Sequence, residues 1–132
     1  MPTHTVVVIG EPGPLWEGLQ ALLMTIPRVG AVRLFADLSR AFVTYAHDPP
    51  TLVLIDHPAS PEAAHSALAQ IHSRWPQTPS IVLIDGAATH PVAYDGADAV
   101  LVEGMPAAKL IATVEWVLSQ RATHELLTRP KT

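Results

Sequence analysis

The sequence predicts an α/β fold in which five short parallel strands alternate with amphipathic helices. Three observations predict it. Five apolar runs of four to seven residues recur along the 132-residue chain, each bounded by Gly, Pro or a polar residue. Between them the apolar residues recur at helical spacing. The intervals are long enough for the crossover that parallel strands require. Alternation of this kind gives a parallel sheet covered on both faces, with right-handed connections.

Residues 4–9 (HTVVVI) are a β-branched run ending at Gly10, and read as a buried strand. From Leu15 the period changes: Leu15, Leu19, Leu22, Leu23 and Ile26 recur as one helical face. Pro14 suits the first turn of that helix, where its missing N–H costs nothing, and Pro27 ends it. Residues 29–35 (VGAVRLF) form the second strand. Asp37 caps a helix from Leu38 to about His47, buried through Ala41, Phe42 and Tyr45. Residues 51–56 (TLVLID) are the third strand, and a helix follows from Glu62 to Trp75 with Ala64, Leu68 and Ile71 on its inner face. Ser80–Ile84 is the fourth strand. Residues 87–95 are weakly patterned, hold Pro91 and support at most a short helix. Ala99–Val102 is the fifth strand. The last helix runs from Ala107 to about Arg121, with Leu110, Ile111, Val114, Val117 and Leu118 facing inward. The tail after it has no clear core face.

Composition narrows the function classes. The chain is 48% hydrophobic and 15% charged, which excludes a disordered segment. With no cysteine it holds no disulfide framework and no thiolate zinc site. No apolar run reaches the ~18 residues of a membrane span, and the N-terminus lacks a signal-peptide pattern. A cytoplasmic domain without a membrane partner is expected. The net charge of −4 leaves no basic footprint for nucleic acid. The seven histidines show no i,i+4 pair, so metal ligation by them is not expected. Neither a P-loop nor a G-x-S-x-G elbow is present.

In an open parallel sheet, ligands bind beyond the carboxyl ends of the strands. That rule selects Gly10-Glu11, Asp56-His57, Ile84-Asp85 and Glu103-Gly104, with Ala36-Asp37 at the periphery. Glu11, Asp56, Glu103 and Asp85 therefore gather at one edge with no Lys or Arg nearby. Such acids share a divalent cation, hold protons, or point to water.

Nearly the whole chain resembles the receiver domain of two-component response regulators, in the NarL/FixJ branch that precedes a LuxR-type helix-turn-helix. The stretches VVVIGEPGPLWEGLQALL, PPTLVLID, IHSRWPQTPSIVLI and DGADAVLVEGMPAAKLIATVEWVLS carry the likeness, with Glu17-Gly18-Leu19 and Gly96-Ala97-Asp98 kept. The tail ELLTRP resembles the linker that leads to the DNA-binding domain. The resemblance implies a flavodoxin-like (βα)₅ fold with strand order 2-1-3-4-5. Two helices cover one face and three the other, the helix between strands 4 and 5 being short or distorted. It implies a receiver over residues 1–121 and, over 122–132, a linker towards a C-terminal helix-turn-helix.

The departures from that family fall on its phosphorylation site. Asp56 stands at the phosphoacceptor position, but the paired acids after strand 1 are Gly10 and Glu11. The hydroxyl residue ending strand 4 is Ile84, the switch aromatic of strand 5 is Val100, and the lysine after strand 5 is Glu103. Phosphoryl transfer rests on positioning and on neutralising charge. A glutamate in place of that lysine sets a like charge beside the phosphoryl group, costing about 3 kcal/mol at ~5 Å and an effective dielectric of ~20. Asp56 is thus expected to be a vestigial phosphoacceptor.

The resulting expectation is an atypical, phosphorylation-independent receiver of a LuxR-type transcriptional regulator, acting as a dimerisation and regulatory module and not as an enzyme. DNA would be contacted through the C-terminal domain. A homodimer is expected through Trp16, Leu110 and Trp116 on the first and last helices. No cofactor is required; Glu11, Asp56 and Glu103 are the candidate ligands for weakly held Mg²⁺. Two alternatives stand beside this. One is a small-molecule sensor: Leu126-Leu127-Thr128-Arg129 matches three of four positions of a cyclic di-GMP motif, making Thr128 and Arg129 candidate ligand residues. The other is a phosphorylatable receiver that uses Asp56 in a non-standard site.

Overall fold

The computed structural model describes residues 4–11, 13–56, 58, 60–84, 96–102 and 106–128, with positions 14, 15 and 121–128 described as backbone. The elements follow in the order β1 (His4–Ile9), α1 (Pro14–Met24), β2 (Val29–Phe35), α2 (Leu38–Thr44), β3 (Leu52–Asp56), α3 (Pro61–Arg74), β4 (Ser80–Ile84), β5 (Ala99–Val102) and α4 (Ala107–Thr128). The sheet is five-stranded and parallel throughout, in the order β2-β1-β3-β4-β5. The expected fold class and strand order are those observed. The expected short helix at 87–95 lies outside the described residues.

Strand alternation divides the core in two. Val6, Val8, Leu52, Leu54, Ile81, Leu83 and Leu101 meet Leu23 and Ile26 from the α1 side and Leu110, Val114, Val117 and Leu118 from α4. Val7, Ile9, Val53, Ile55 and Val82 meet Ala41 and Phe42 of α2, with Leu68, Ile71 and Trp75 from the α3 side. The three central strands are therefore apolar on both faces, as buried parallel strands must be. Phe42 and Trp75 pack edge to face with centroids 4.6 Å apart, and the Arg74 guanidinium lies 5.2 Å from the Phe42 ring centre.

Local chemistry sets the helix ends. The Asp37 carboxylate accepts the Arg40 amide at 3.0 Å and the Ser39 hydroxyl at 2.7 Å, capping α2. The Ser60 hydroxyl accepts the Ala63 amide at 3.0 Å and starts α3, with Pro61 in its first turn. Two helix ends differ from expectation by three residues or more. Helix α2 stops at Thr44 rather than near His47, because the backbone leaves helical angles at Tyr45 (φ −112°, ψ 35°), whose amide makes the last helical bond to the Ala41 carbonyl. Helix α4 continues past Arg121 to Thr128, so the expected boundary between 121 and 122 falls inside it. No Gly or Pro interrupts residues 107–129, and Ala, Leu, Gln and Glu sustain a helix by propensity alone.

The amino edge of the sheet is tied by side chains. The Thr78 hydroxyl donates to the Pro50 carbonyl at 2.9 Å, joining the approaches to β3 and β4. Asp98 pairs with Ser80 at the start of β4. Gly96 adopts φ +96°, a conformation open to glycine, and its carbonyl lies 2.8 Å from His72 Nε2 of α3.

Candidate functional site at the carboxyl edge

Gly10, Glu11, Asp56 and Ile84 all fall at the carboxyl edge of the sheet. Val8 is in register with Leu54 and Ile9 with Ile55, so Gly10 and Asp56 come side by side at the ends of β1 and β3. A Cβ on Gly10 would lie 3.1 Å from both the Cβ and the carbonyl oxygen of Asp56, and 3.4 Å from Trp16 Nε1. The absent side chain thus leaves room that Asp56 and the Trp16 indole fill. The Gly10 amide donates to the Phe35 carbonyl at 3.0 Å, which fixes this backbone to β2 as well.

Trp16 reaches the site from the first turn of α1, where its amide donates to the Gly13 carbonyl at 3.0 Å. Its Nε1 is buried and has no hydrogen-bond partner among the described residues. Trp16 is half-buried, and the polar end of its ring faces inward to the strand edge, so only part of the ring is open to a second copy. Leu110 is corrected. It is 5% exposed and packs in the α1/α4 core, so it offers nothing to a second copy. Trp116 is 55% exposed on α4.

On the other side of Asp56, Ile84 packs against the α2/α3 cluster and presents only hydrocarbon. Val100 is paired with Val82 and 38% exposed. Glu11 is exposed. Glu103, Asp85, His57 and Arg129 lie outside the described residues, and Thr128 is described only as the end of α4. Among the described residues, no group of three His, Cys, Asp or Glu side chains could hold a metal ion.

The receiver likeness implies Mg²⁺ at this edge, and the described residues do not fit it. Magnesium needs a near-octahedral set of oxygens at about 2.0–2.1 Å. Position 10 supplies no oxygen from a side chain, and a Cβ there meets the Asp56 backbone. Beside the Asp56 carbonyl oxygen at 3.1 Å, the next polar atom is the indole Nε1 at 3.4 Å, a donor that cannot ligate.

No protein-family model and no curated protein sequence matches the chain. Its fold matches several solved structures. The signal receiver domain of an HD domain-containing protein from Pseudomonas fluorescens Pf-5 superposes with a TM-score of 0.75 at 18% identity, covering 95% of this chain and 93% of that one. The N-terminal signal receiver domain of a two-component system response regulator from Bacteroides fragilis gives 0.74 at 16% identity, covering 88% and 97%. A response regulator receiver modulated diguanylate cyclase from Pelobacter carbinolicus gives 0.71 at 17% identity, covering 92% and 97%. Among the described residues no helix is long and apolar enough to cross a membrane. With sheet order, layer arrangement and these superpositions in agreement, the chain has the fold of a response-regulator signal receiver domain.

Proposed function

We propose that the chain is an atypical receiver domain of a LuxR-type transcriptional regulator, working without the phosphorylation cycle as a dimerisation and regulatory module. The observation that carries this reading is the setting of Asp56. Its neighbour at the end of β1 is a glycine against which an indole N–H is buried, and β4 ends in an isoleucine packed into the core. A phosphoryl group on Asp56 would bring close to two negative charges, and catalysis of its transfer needs cations and donors aimed at them. The sequence adds Glu103 where a neutralising lysine would stand. In this reading Asp56 keeps its place as a strand-end carboxylate and the signal enters by another route. The partner is a second copy, met through Trp116, and DNA is contacted by a helix-turn-helix domain of the regulator. The likeness of ELLTRP to the inter-domain linker supports that last element.

Incubation with Mg²⁺ and acetyl phosphate, followed by intact mass, tests the central point. No phosphoryl adduct is expected. An adduct that Asp56→Asn abolishes would overturn the reading. Sedimentation of Trp116→Ala against the parent chain tests the dimer, with weaker association expected; identical association would remove Trp116 from the interface.

A further inference from the structure

We infer that Trp16 is a plug that shuts the acidic edge against a cation, and that Gly10 and Trp16 form one coupled pair. This rests on the proposed function above and gives it a structural device. Position 10 lacks a side chain, and the indole Nε1 stands 3.4 Å from the point where a Cβ would begin. An acidic side chain placed there would have to extend into space bounded by the Asp56 backbone, at 3.1 Å, and the ring. The Asp56 carbonyl belongs to a paired strand and cannot swing aside, so the ring is the group that would have to give.

The chemistry of the ring completes the closure. An indole N–H is a donor only, and its hydrogen is the positive end of a dipole. Facing the edge, it repels a cation where an oxygen ligand would attract one. It is buried without a partner among the described residues, an arrangement that is unfavourable unless packing holds it. The holding contacts are local. Pro14 sits in the first turn of α1, and the Trp16 amide bonds to the Gly13 carbonyl at 3.0 Å. The indole therefore stands in the path of any side chain at position 10 and turns a donor toward it. Restoring an acid at position 10 alone leaves the plug in place, and removing the plug alone leaves the ligand missing.

The test is a calorimetric titration of the full chain with Mg²⁺ for the parent, Gly10→Asp, Trp16→Ala and the double variant. The parent and both single variants are expected to show no measurable binding at millimolar Mg²⁺. The double variant is expected to bind at least about tenfold more tightly than Gly10→Asp, the non-additivity of a coupled pair. Equal binding by Gly10→Asp and the double variant, or no binding by a folded double variant, overturns the plug. Where a variant does not fold, the parent chain decides. Its Trp16 indole N–H should exchange with solvent at least about tenfold more slowly than that of Trp116. Equal exchange rates overturn the plug as well. A phosphoryl adduct on the parent would instead sink the proposed function, whereas a silent parent with Gly10→Asp equal to the double variant sinks the plug alone.

Discussion

Asp98 clasps Ser80 at two points: its carboxylate accepts the Ser80 amide at 2.8 Å, and its own amide donates to the Ser80 carbonyl at 2.8 Å. The pair closes the start of β4 against the approach to β5, an edge strand of four residues. So short a strand has few ladder bonds to hold it. Asp98→Ala leaves the Ser80 amide without this charged acceptor. It should lower stability by about 1.5–3 kcal/mol, the range for hydrogen bonds to charged groups, measured by urea unfolding. Asp98→Asn, which keeps an acceptor, should recover part of the loss.

Ser80 carries a second, opposite liability. Its hydroxyl is fully buried and has no partner among the described residues. Replacing it by Ala removes a desolvated polar group and leaves the backbone clasp intact. Ser80→Ala is expected to stabilise the chain by up to about 1 kcal/mol, read as an upward shift of the urea midpoint with unchanged slope. A loss of stability would mean that the hydroxyl has an acceptor.

Gly10 is a glycine for reasons of space. Gly10→Ala sets a methyl group 3.1 Å from the Asp56 carbonyl oxygen, closer than ordinary van der Waals contact. The expected cost is about 1–2 kcal/mol, as for overpacking elsewhere in a dense interior. The same substitution should cost less in a Trp16→Ala background, because the third close neighbour of the new methyl is the indole. Thermal unfolding of the parent, both single variants and the double variant checks both statements.

The cap of α2 should make itself felt in acid. The Asp37 carboxyl is held below its ordinary value, first by the Ser39 hydroxyl and then by the Arg40 amide. A depressed carboxyl pKa contributes stability that is whole above the unfolded value, near about 4. That contribution fades as pH falls below this point, through the lowered value. Asp37→Asn retains the cap acceptor but not the titration. Its melting temperature should therefore fall less steeply than the parent's between pH ~5 and ~2, while equal slopes would discount the cap.

The β-branched runs bounded by Gly, Pro and Asp made the strands readable to the residue at β1, β2, β4 and β5. In β1 and β4, burial on both faces leaves the run no freedom to be anything else. The far end of α4 was less readable, because apolar periodicity stops at Leu118 while helical propensity does not. Trp16 was read as an interface residue, although it stands at i, i+3 and i+7 with Leu19 and Leu23 on one helical face. At the start of α1 this face reaches the strand edge, where the Trp16 Nε1 stands 3.4 Å from a Cβ built on Gly10. The signal was available at Gly10, a position without a side chain six residues before an aromatic. Leu110 belongs to the stripe that faces the sheet, and that same periodicity assigns it to the core rather than to an interface.

Helix α4 carries ten residues beyond Leu118, its last described core residue, to Thr128. At about 1.5 Å per residue that is ~15 Å of rod anchored at one end. A rod of this kind transmits angle as faithfully as position. A segment joined after Thr128 inherits a fixed azimuth from the packing of Val114, Val117 and Leu118 against the sheet. One residue inserted between Leu118 and Thr128 would turn that segment by about 100° while advancing it by only ~1.5 Å. The phase of α4, more than its reach, is what this fold hands on.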